Sequence, residues 1–250
     1  MQSKTILITG ASSGIGEACA MALATPGTKL ILVARREGRL KAIAESLQAT
    51  GAKILTRVLD VRDHDAIEAF IKSLPAEFSD IDILINNAGC ALGVETLADG
   101  PLKDWDDMID INVKGLLYMT RAFLPAMLKR EQGHIVNIGS TAAHNVYTGG
   151  SVYCATKHAV NAITKTLQLE VAGTGVKVTE IDPGAVETEF SVVRFRGDEA
   201  KAKKVYENMK APLNAGDVAD AIVYAVTRPA HVNIAQIMLY SIHQTEKLPS

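Results

Sequence analysis

The sequence predicts an α/β fold, a parallel, doubly wound sheet with helices on both faces. Three observations carry this expectation. Short apolar, β-branched runs alternate with longer helical patterns along the chain; the first run enters a glycine-spaced turn; and polar side chains suited to holding a ligand follow several of the runs. The 250 residues suit one large domain, and a hydrophobic content of 48% is ample for its core.

The first run, Lys4–Thr9, reads as a buried strand. It enters Gly10-Ala11-Ser12-Ser13-Gly14-Ile15-Gly16, and a helical pattern follows through about Thr25. A strand, a glycine-rich turn and a helix start form the phosphate-binding arrangement of a Rossmann unit. Glycine lets the backbone turn tightly and approach a pyrophosphate, which rests against the unpaired N–H groups of the helix start. The second strand, Lys29–Ala34, is followed by Arg35 and Arg36. An acidic residue near position 35 would hold the ribose 2′-hydroxyl of NAD. Here the position is basic, and two guanidinium groups match a 2′-phosphate, so NADP is expected over NAD. The alternative, a solvated arginine pair at a helix start, suits Arg36 better than Arg35.

A helix from about Glu37 to Thr50 leads to a third strand, Lys53–Leu59, and then Asp60-Val61-Arg62. Asp60, at a strand's carboxyl end, could accept a hydrogen bond from an adenine amino group. Alternatively Asp60 caps the helix that runs to about Leu74, a task that Asp63 could also take. A fourth strand, Ile81–Ile85, ends in Asn86-Asn87-Ala88-Gly89, which puts ligand-type residues along the carboxyl edge of the sheet. Lys103–Arg130 reads as a long helical region with a bend or break expected near Pro125.

The strand His134–Ile138 leads to Ser140, then to a loop with His144 and Tyr147, and then to a helix carrying Tyr153 and Lys157. Four residues apart, Tyr153 and Lys157 share a helix face. An ammonium beside a phenol favours the phenolate, so the pKa of Tyr153 is expected to fall from about 10 toward working pH, as a general acid or base needs. Ser140 would offer its hydroxyl to the same reacting oxygen. Taken alone, such a pair is usually a surface pair or a packing contact. His144 and Tyr147 are expected to shape a substrate pocket, and Cys154 to point into the core. The strand Val176–Ile181 and the turn Asp182-Pro183-Gly184 precede a polar, charged segment, a candidate lid over about 187–212. Within it Arg194 is the candidate cation for a carboxylate substrate, with a solvated arginine as the alternative. A helix over Asp217–Thr227 and a strand over Gln236–Leu239 close the pattern.

Together, Thr9-Gly10-x-x-x-Gly14-x-Gly16, Asn86-Asn87-Ala88-Gly89, Asn112, Ser140, Tyr153-x-x-x-Lys157 and Pro183-Gly184 resemble the short-chain dehydrogenase/reductase family over essentially the whole chain. The resemblance implies a seven-stranded, Rossmann-like single domain spanning residues 1–250. It also implies a catalytic tetrad of Asn112, Ser140, Tyr153 and Lys157. Tyr153 would exchange the proton, Ser140 would hold the substrate oxygen and Lys157 would bind the nicotinamide ribose. Asn112 would hold a water in a proton relay.

For NADP the resemblance implies the glycine loop with Ser12, Ser13 and Ile15, then Asp60 and Val61, and Asn87 on the adenosine side with Ala88 and Gly89. Tyr153, Lys157, Pro183, Gly184 and Val186 follow, with Thr188 at the nicotinamide end. Segments such as Glu187-Thr188-Glu189-Phe190-Ser191 with Val193-Arg194-Phe195 are similar to the NADP-dependent 3-hydroxy acid dehydrogenases. That subgroup acts on serine, L-allo-threonine and related 3-hydroxy acids, and in reverse reduces 3-oxo acids such as malonic semialdehyde. Ser140, Tyr147, Tyr153 and Arg194 form the expected substrate set. Ser12-Ser13 offers no basic residue for the 2′-phosphate, which leaves Arg35 and Arg36 to carry the NADP preference.

A net charge of −2 without a long basic run argues against nucleic acid or an anionic membrane as partner. Cys19, Cys90 and Cys154 lack metal spacing, and the histidines show none, so no metal is expected. No apolar run suits a membrane helix, and the first residues show no signal-peptide pattern, so the expected place is the cytoplasm. Family members are usually dimers or tetramers, which implies a homo-oligomer, a tetramer ahead of a dimer. The rival readings are a broad carbonyl reductase or 3-oxoacyl reductase with the same tetrad, and a non-catalytic NADPH-sensing regulator.

Overall fold

Seven strands pair in parallel in the computed structural model, which describes residues 3–244. They are β1 (Thr5–Thr9), β2 (Lys29–Ala34), β3 (Lys53–Val58), β4 (Ile83–Asn86), β5 (Gly133–Ile138), β6 (Val176–Pro183) and β9 (Gln236–Leu239). Their order is β3-β2-β1-β4-β5-β6-β9, so the winding reverses between β1 and β4. The helices are α1 (Gly14–Leu23), α2 (Glu37–Ser46), α3 (His64–Lys72), α4 (Leu102–Ile109), α5 (Leu116–Lys129), α6 (Ser151–Glu170), α7 (Glu189–Arg194), α8 (Glu199–Lys204) and α9 (Ala215–Val226). The sheet class and strand positions agree with the sequence expectation; the main departures are in the long helical region and after β6.

Alternation along the strands splits the core in two. Ile6, Ile8, Leu30 and Leu32 pack with Cys19 and Leu23 of α1, Leu40 of α2 and Ile222 of α9. Leu7, Ile31, Val33 and Leu84 point the other way, onto Ile67 of α3, Phe123 of α5 and Leu167 of α6. Both faces of the central strands are therefore covered, as a parallel sheet requires. No helix among the described residues is long and apolar enough to cross a membrane.

Of the bend or break expected near Pro125, the break does not occur: α5 continues through it to Lys129. Phe123 and Met127 on either side are buried against the sheet, and that packing holds the segment helical despite the missing N–H. The interruption lies earlier, where a π-turn over Asp110–Gly115 separates α4 from α5. It carries Asn112, and its geometry re-aims that side chain. A two-stranded parallel ladder was also unforeseen. β7 (Val186–Glu187) pairs with β8 (Leu213–Asn214), so the segment holding α7 and α8 leaves and re-enters the body at one place.

Asp63, not Asp60, caps α3: its side chain accepts from Ala66 N at 2.9 Å. Asp63→Ala is expected to lower stability by about 1 kcal/mol in urea unfolding, because it leaves a first-turn N–H without that acceptor.

Candidate active site

The reversal between β1 and β4 opens a cleft of about 400 Å³ at the carboxyl edge of the sheet. Its floor is the glycine loop. Gly10 and Gly14 have φ of +64° and +55°, in the left-handed region that favours glycine. A Cβ at Gly16 would run into the Gly10 carbonyl and lie 2.6 Å from Asn87 Nδ2. The loop thus has no room for side chains where a pyrophosphate would lie. α1 begins there without a side-chain cap, which leaves first-turn N–H groups for an anion. Ser12, Ser13 and Ile15 line the same wall.

Thr9 Oγ1 accepts the N–H groups of Asn87 and Ala88, each at 3.0 Å, and donates to Ile85 O at 3.3 Å. Asn87 Nδ2 donates back to Thr9 O at 2.9 Å. Asn87 lines the cleft with Ala88 and Gly89, but its amide nitrogen fastens β4 to the glycine loop.

The two arginines after β2 do different things. Arg35 is exposed, lines the cleft and has no hydrogen bond or ion pair among the described residues. Arg36 lies across the loop, with Nε to Ser12 Oγ at 3.1 Å and Nη2 to Ser13 Oγ at 2.6 Å. Its Nη1 meets Glu189 Oε2 at 2.9 Å, and Arg39 takes the other oxygen of Glu189 at 3.0 Å. The Arg36 bond is the first cause that holds the Glu189 carboxyl below its usual range. Asp60 sits at the cleft with Val61, but Arg62 forks onto its carboxylate. Burial works against ionisation of Asp60, and the bonds from Arg62 outweigh it, so its carboxyl stays below the ordinary range.

Across the cleft, α6 presents Tyr153 and Lys157. The Tyr153 hydroxyl is hydrogen-bonded to Ser140, whose Oγ also accepts from Ala142 N at 3.1 Å. Lys157 is 6% exposed; its Nζ donates to Ile138 O at 2.9 Å and lies 5.8 Å from the centre of the Tyr153 ring. The expected depression of the Tyr153 pKa is not found in the cofactor-free site. Burial pushes the phenol up, and the Ser140 hydrogen bond offsets only part of that. Burial also lowers Lys157 to about 8, with Asp182 and then Glu180 opposing. Helix spacing put the pair on one face, but desolvation decides the sign.

Asn112 is buried, and its side chain is fully used. Oδ1 accepts from Cys90 N at 2.8 Å, while Nδ2 donates to Cys90 O at 2.8 Å and Thr156 Oγ1 at 3.0 Å. It pins the segment after β4 against α6. Pro183, Gly184, Val186 and Thr188 form the last wall, where Thr188 caps α7 and would touch a Cβ on Gly14 at 3.4 Å.

Arg194 and Tyr147 stand behind the cleft wall rather than on it, but Arg194 is held beside Tyr153. Its Nε donates to Gly93 O at 3.1 Å, and its guanidinium lies 5.2 Å from the Tyr147 ring centre and 6.0 Å from that of Tyr153. His144 is turned away from the cleft onto Asp182 Oδ2 at 3.0 Å, so it does not shape the pocket as expected. Cys154 is 2% exposed, within the body as expected. Sequence reasoning missed Phe190 and Val193 on the cleft wall, the pairing of Glu189 with Arg36 and Arg39, and the acidic residues of β6. Glu180 and Asp182, two residues apart in a strand and therefore on one face, were the available signal for the last. No group of three or more potential metal ligands occurs among the described residues.

A family model of short chain dehydrogenases matches residues 4–228. NADP-dependent 3-hydroxy acid dehydrogenase YdfG of Salmonella typhi is 48% identical over 241 residues, 96% of each chain. Sulfoacetaldehyde reductase 2 of Chromohalobacter salexigens is 44% identical, covering 97% of this chain and 96% of the relative. Among solved structures, the closed form of serine dehydrogenase complexed with NADP+ superposes with a TM-score of 0.92 at 46% identity, covering 96% of both chains.

With burial dominant, Tyr153 in the cofactor-free protein is expected to stay protonated through pH 10. Ultraviolet difference titration of wild type against Tyr153→Phe should show no extra phenolate below that pH; an early step would mean that Lys157 outweighs burial.

Proposed function

The chain belongs to the short chain dehydrogenase family, as an oxidoreductase acting on hydroxyl groups with NADP, and we propose that its substrate is a small 3-hydroxy acid, interconverted with the 3-oxo acid. The observation that carries the substrate class is Arg194. Among the described residues its guanidinium is hydrogen-bonded through Nε alone, which leaves the terminal nitrogens beside Tyr147 and Tyr153 for a carboxylate. The relatives named for 3-hydroxy acids and for sulfoacetaldehyde both act on a small molecule with an anionic head, which supports a cation in this position.

In this reading NADP supplies the hydride acceptor for oxidation, and in reduced form the donor. In oxidation Tyr153 first releases its own proton through the relay and then, as the phenolate, takes the substrate hydroxyl proton; in reduction it donates that proton as the phenol. Ser140, already bonded to Tyr153, holds the same oxygen. Lys157 keeps the site cationic and passes protons onward. Because the Asn112 side chain is spent on Cys90 and Thr156, a relay through that residue runs by its main-chain carbonyl. Arg35 takes the 2′-phosphate, and Arg36 steadies the loop beneath it.

Residues 187–212 act as the lid of a single domain. Arg196 holds the lid to Glu95 at 2.9 Å and Asp104 at 2.5 Å, and Tyr206 returns it to Val186 O at 2.8 Å. Exposed apolar side chains on α4, α5 and α6, Leu102, Leu117 and Leu169 among them, support the expected homo-oligomer, a tetramer before a dimer. The expected place of action is the cytoplasm.

Reduction of NADP with L-serine or L-allo-threonine, compared with a neutral alcohol of similar size and with NAD, tests the reading. The hydroxy acid with NADP should be preferred. Arg194→Ala should cut kcat/KM for the acid by about 10- to 100-fold and spare the neutral alcohol, the loss expected for one charged hydrogen-bonded contact. Equal rates on both substrates in wild type would leave a general carbonyl reductase. Arg35→Ala should weaken NADPH binding by a similar factor and leave NADH binding unchanged, measured by fluorescence titration.

A further inference from the structure

β6 carries two acidic residues into the interior: Glu180 is 1% exposed and Asp182 0%. Two residues apart on a strand, they share the face beneath α6, where Lys157 and Asn161 occupy successive turns of the helix. The hydrogen bonds sort out who holds the proton. Asp182 Oδ1 accepts from Ser140 N at 2.9 Å, and Oδ2 accepts from Gln236 Nε2 while meeting His144 Nε2 at 3.0 Å. Both oxygens are thus acceptors, as in a carboxylate. Glu180 Oε2 accepts from Asn161 Nδ2 at 2.9 Å, but Oε1 has no donor among the described residues.

Two ionised carboxylates side by side in the interior are costly. A proton on Glu180 Oε1, donated to Asp182, removes the repulsion and gives the orphan atom a partner. Burial first, and the neighbouring Asp182 second, push Glu180 up to about 8. Between Ser140 and this pair lies Gly139, where a Cβ would strike Asp182 and come within 2.7 Å of Glu180 Oε1. That glycine lets the main chain of Ser140 settle onto the acids.

We propose that Glu180 and Asp182 are positioning residues for the reaction read above: a buried acid–carboxylate pair sharing one proton, whose single negative charge keeps Lys157 an ammonium and whose Asp182 oxygen fixes the main chain of Ser140. Neither touches the reacting atoms; they act through Lys157 and Ser140. The groups facing the pair are Lys157 and Asn161 from α6, Ser140 and His144 from the segment after β5, Gln236 from β9, and Asn137, its register neighbour on β5. On the far side Lys157 is influenced by Cys90, a thiol that burial raises to about 11. Lys157 is therefore the cation at the pair below about pH 8, and His144 meets the pair from the segment after β5.

Two experiments test this. In the first, urea midpoints of the cofactor-free protein are measured from pH 5 to 9 for wild type and Glu180→Gln. Glu180 is raised from 4.5 to about 8, so its contribution to stability is lost as pH climbs through that window and levels off above it. Glutamine keeps the shape of the protonated form and removes the loss. The midpoint of Glu180→Gln relative to wild type should rise between pH 5 and 8 and then stay flat; a difference that does not change with pH overturns the shared proton.

In the second, pH profiles of kcat for carbonyl reduction are compared. Asp182→Asn removes the charge that opposes the fall of Lys157, so the alkaline limb should move to lower pH by about one unit, a tenfold change in proton concentration. Glu180→Gln, which keeps the charge on Asp182, should move that limb by less than Asp182→Asn does, whatever its amplitude; an equal or larger shift overturns the assignment of the charge to Asp182. An Asp182→Asn profile that superimposes on wild type, whatever its amplitude, overturns the link to Lys157. Absence of turnover on any carbonyl would strike the catalytic reading and leave the unfolding series to decide on the pair. The same series decides if Asp182→Asn fails to fold.

Discussion

The site depends on the Thr9 hydroxyl, fixed where β1 and β4 part. Beyond these strands the chain turns to opposite faces of the sheet, and some interaction must keep the two ends together while the cleft opens above them. Thr9 is 1% exposed and takes two N–H groups from the β4 side while donating to Ile85. The Asn87 N–H is shared with Ile85 O at 3.1 Å, whereas the Ala88 N–H relies on Thr9, and a buried N–H left without an acceptor costs about 1–3 kcal/mol. Asn87 answers with its own bond to Thr9, and Gly10 and Gly16 are bare because Asn87 and the loop backbone come so close. The position of Gly89 under Lys157 then follows from where β4 ends.

Much of this was readable in the sequence, because the features concerned are local. Strand runs, glycine spacing, the cap at Asp63 and the shared face of Tyr153 and Lys157 follow from neighbours along the chain. What was misread depended on distant partners. Pro125 reads as a helix breaker until the burial of Phe123 and Met127 is known. Arg36 reads as a phosphate ligand or a solvated residue; it does line the cleft, but its bonds to Ser12, Ser13 and Glu189 lay beyond local reading. Tyr153 reads as activated by its lysine until the depth of both groups is known.

Burial sets the chemistry of the site more than any single pair does. Lys157 and Tyr153 are each pushed toward the neutral form, and acids on β6 restrain the lysine. Groups held away from their ordinary charge states are costly to the fold and useful to proton transfer, and such conflicts gather where proteins act. The large apolar layers on either side of the sheet can absorb that cost.

The small β7–β8 ladder has a consequence for how the molecule can change over time. Because the excursion through α7 and α8 starts and finishes at adjoining residues, its ends are already closed by main-chain hydrogen bonds. Closing a loop whose ends are held grows only slowly more costly with length, by about 0.6 kcal/mol per doubling. The segment behaves as a cassette: residues can be gained, lost or exchanged within it while the register of the seven-stranded sheet stays as it is. The freedom is greatest beyond Val193, because Thr188, Glu189, Phe190 and Val193 at the start of the excursion also line the cleft.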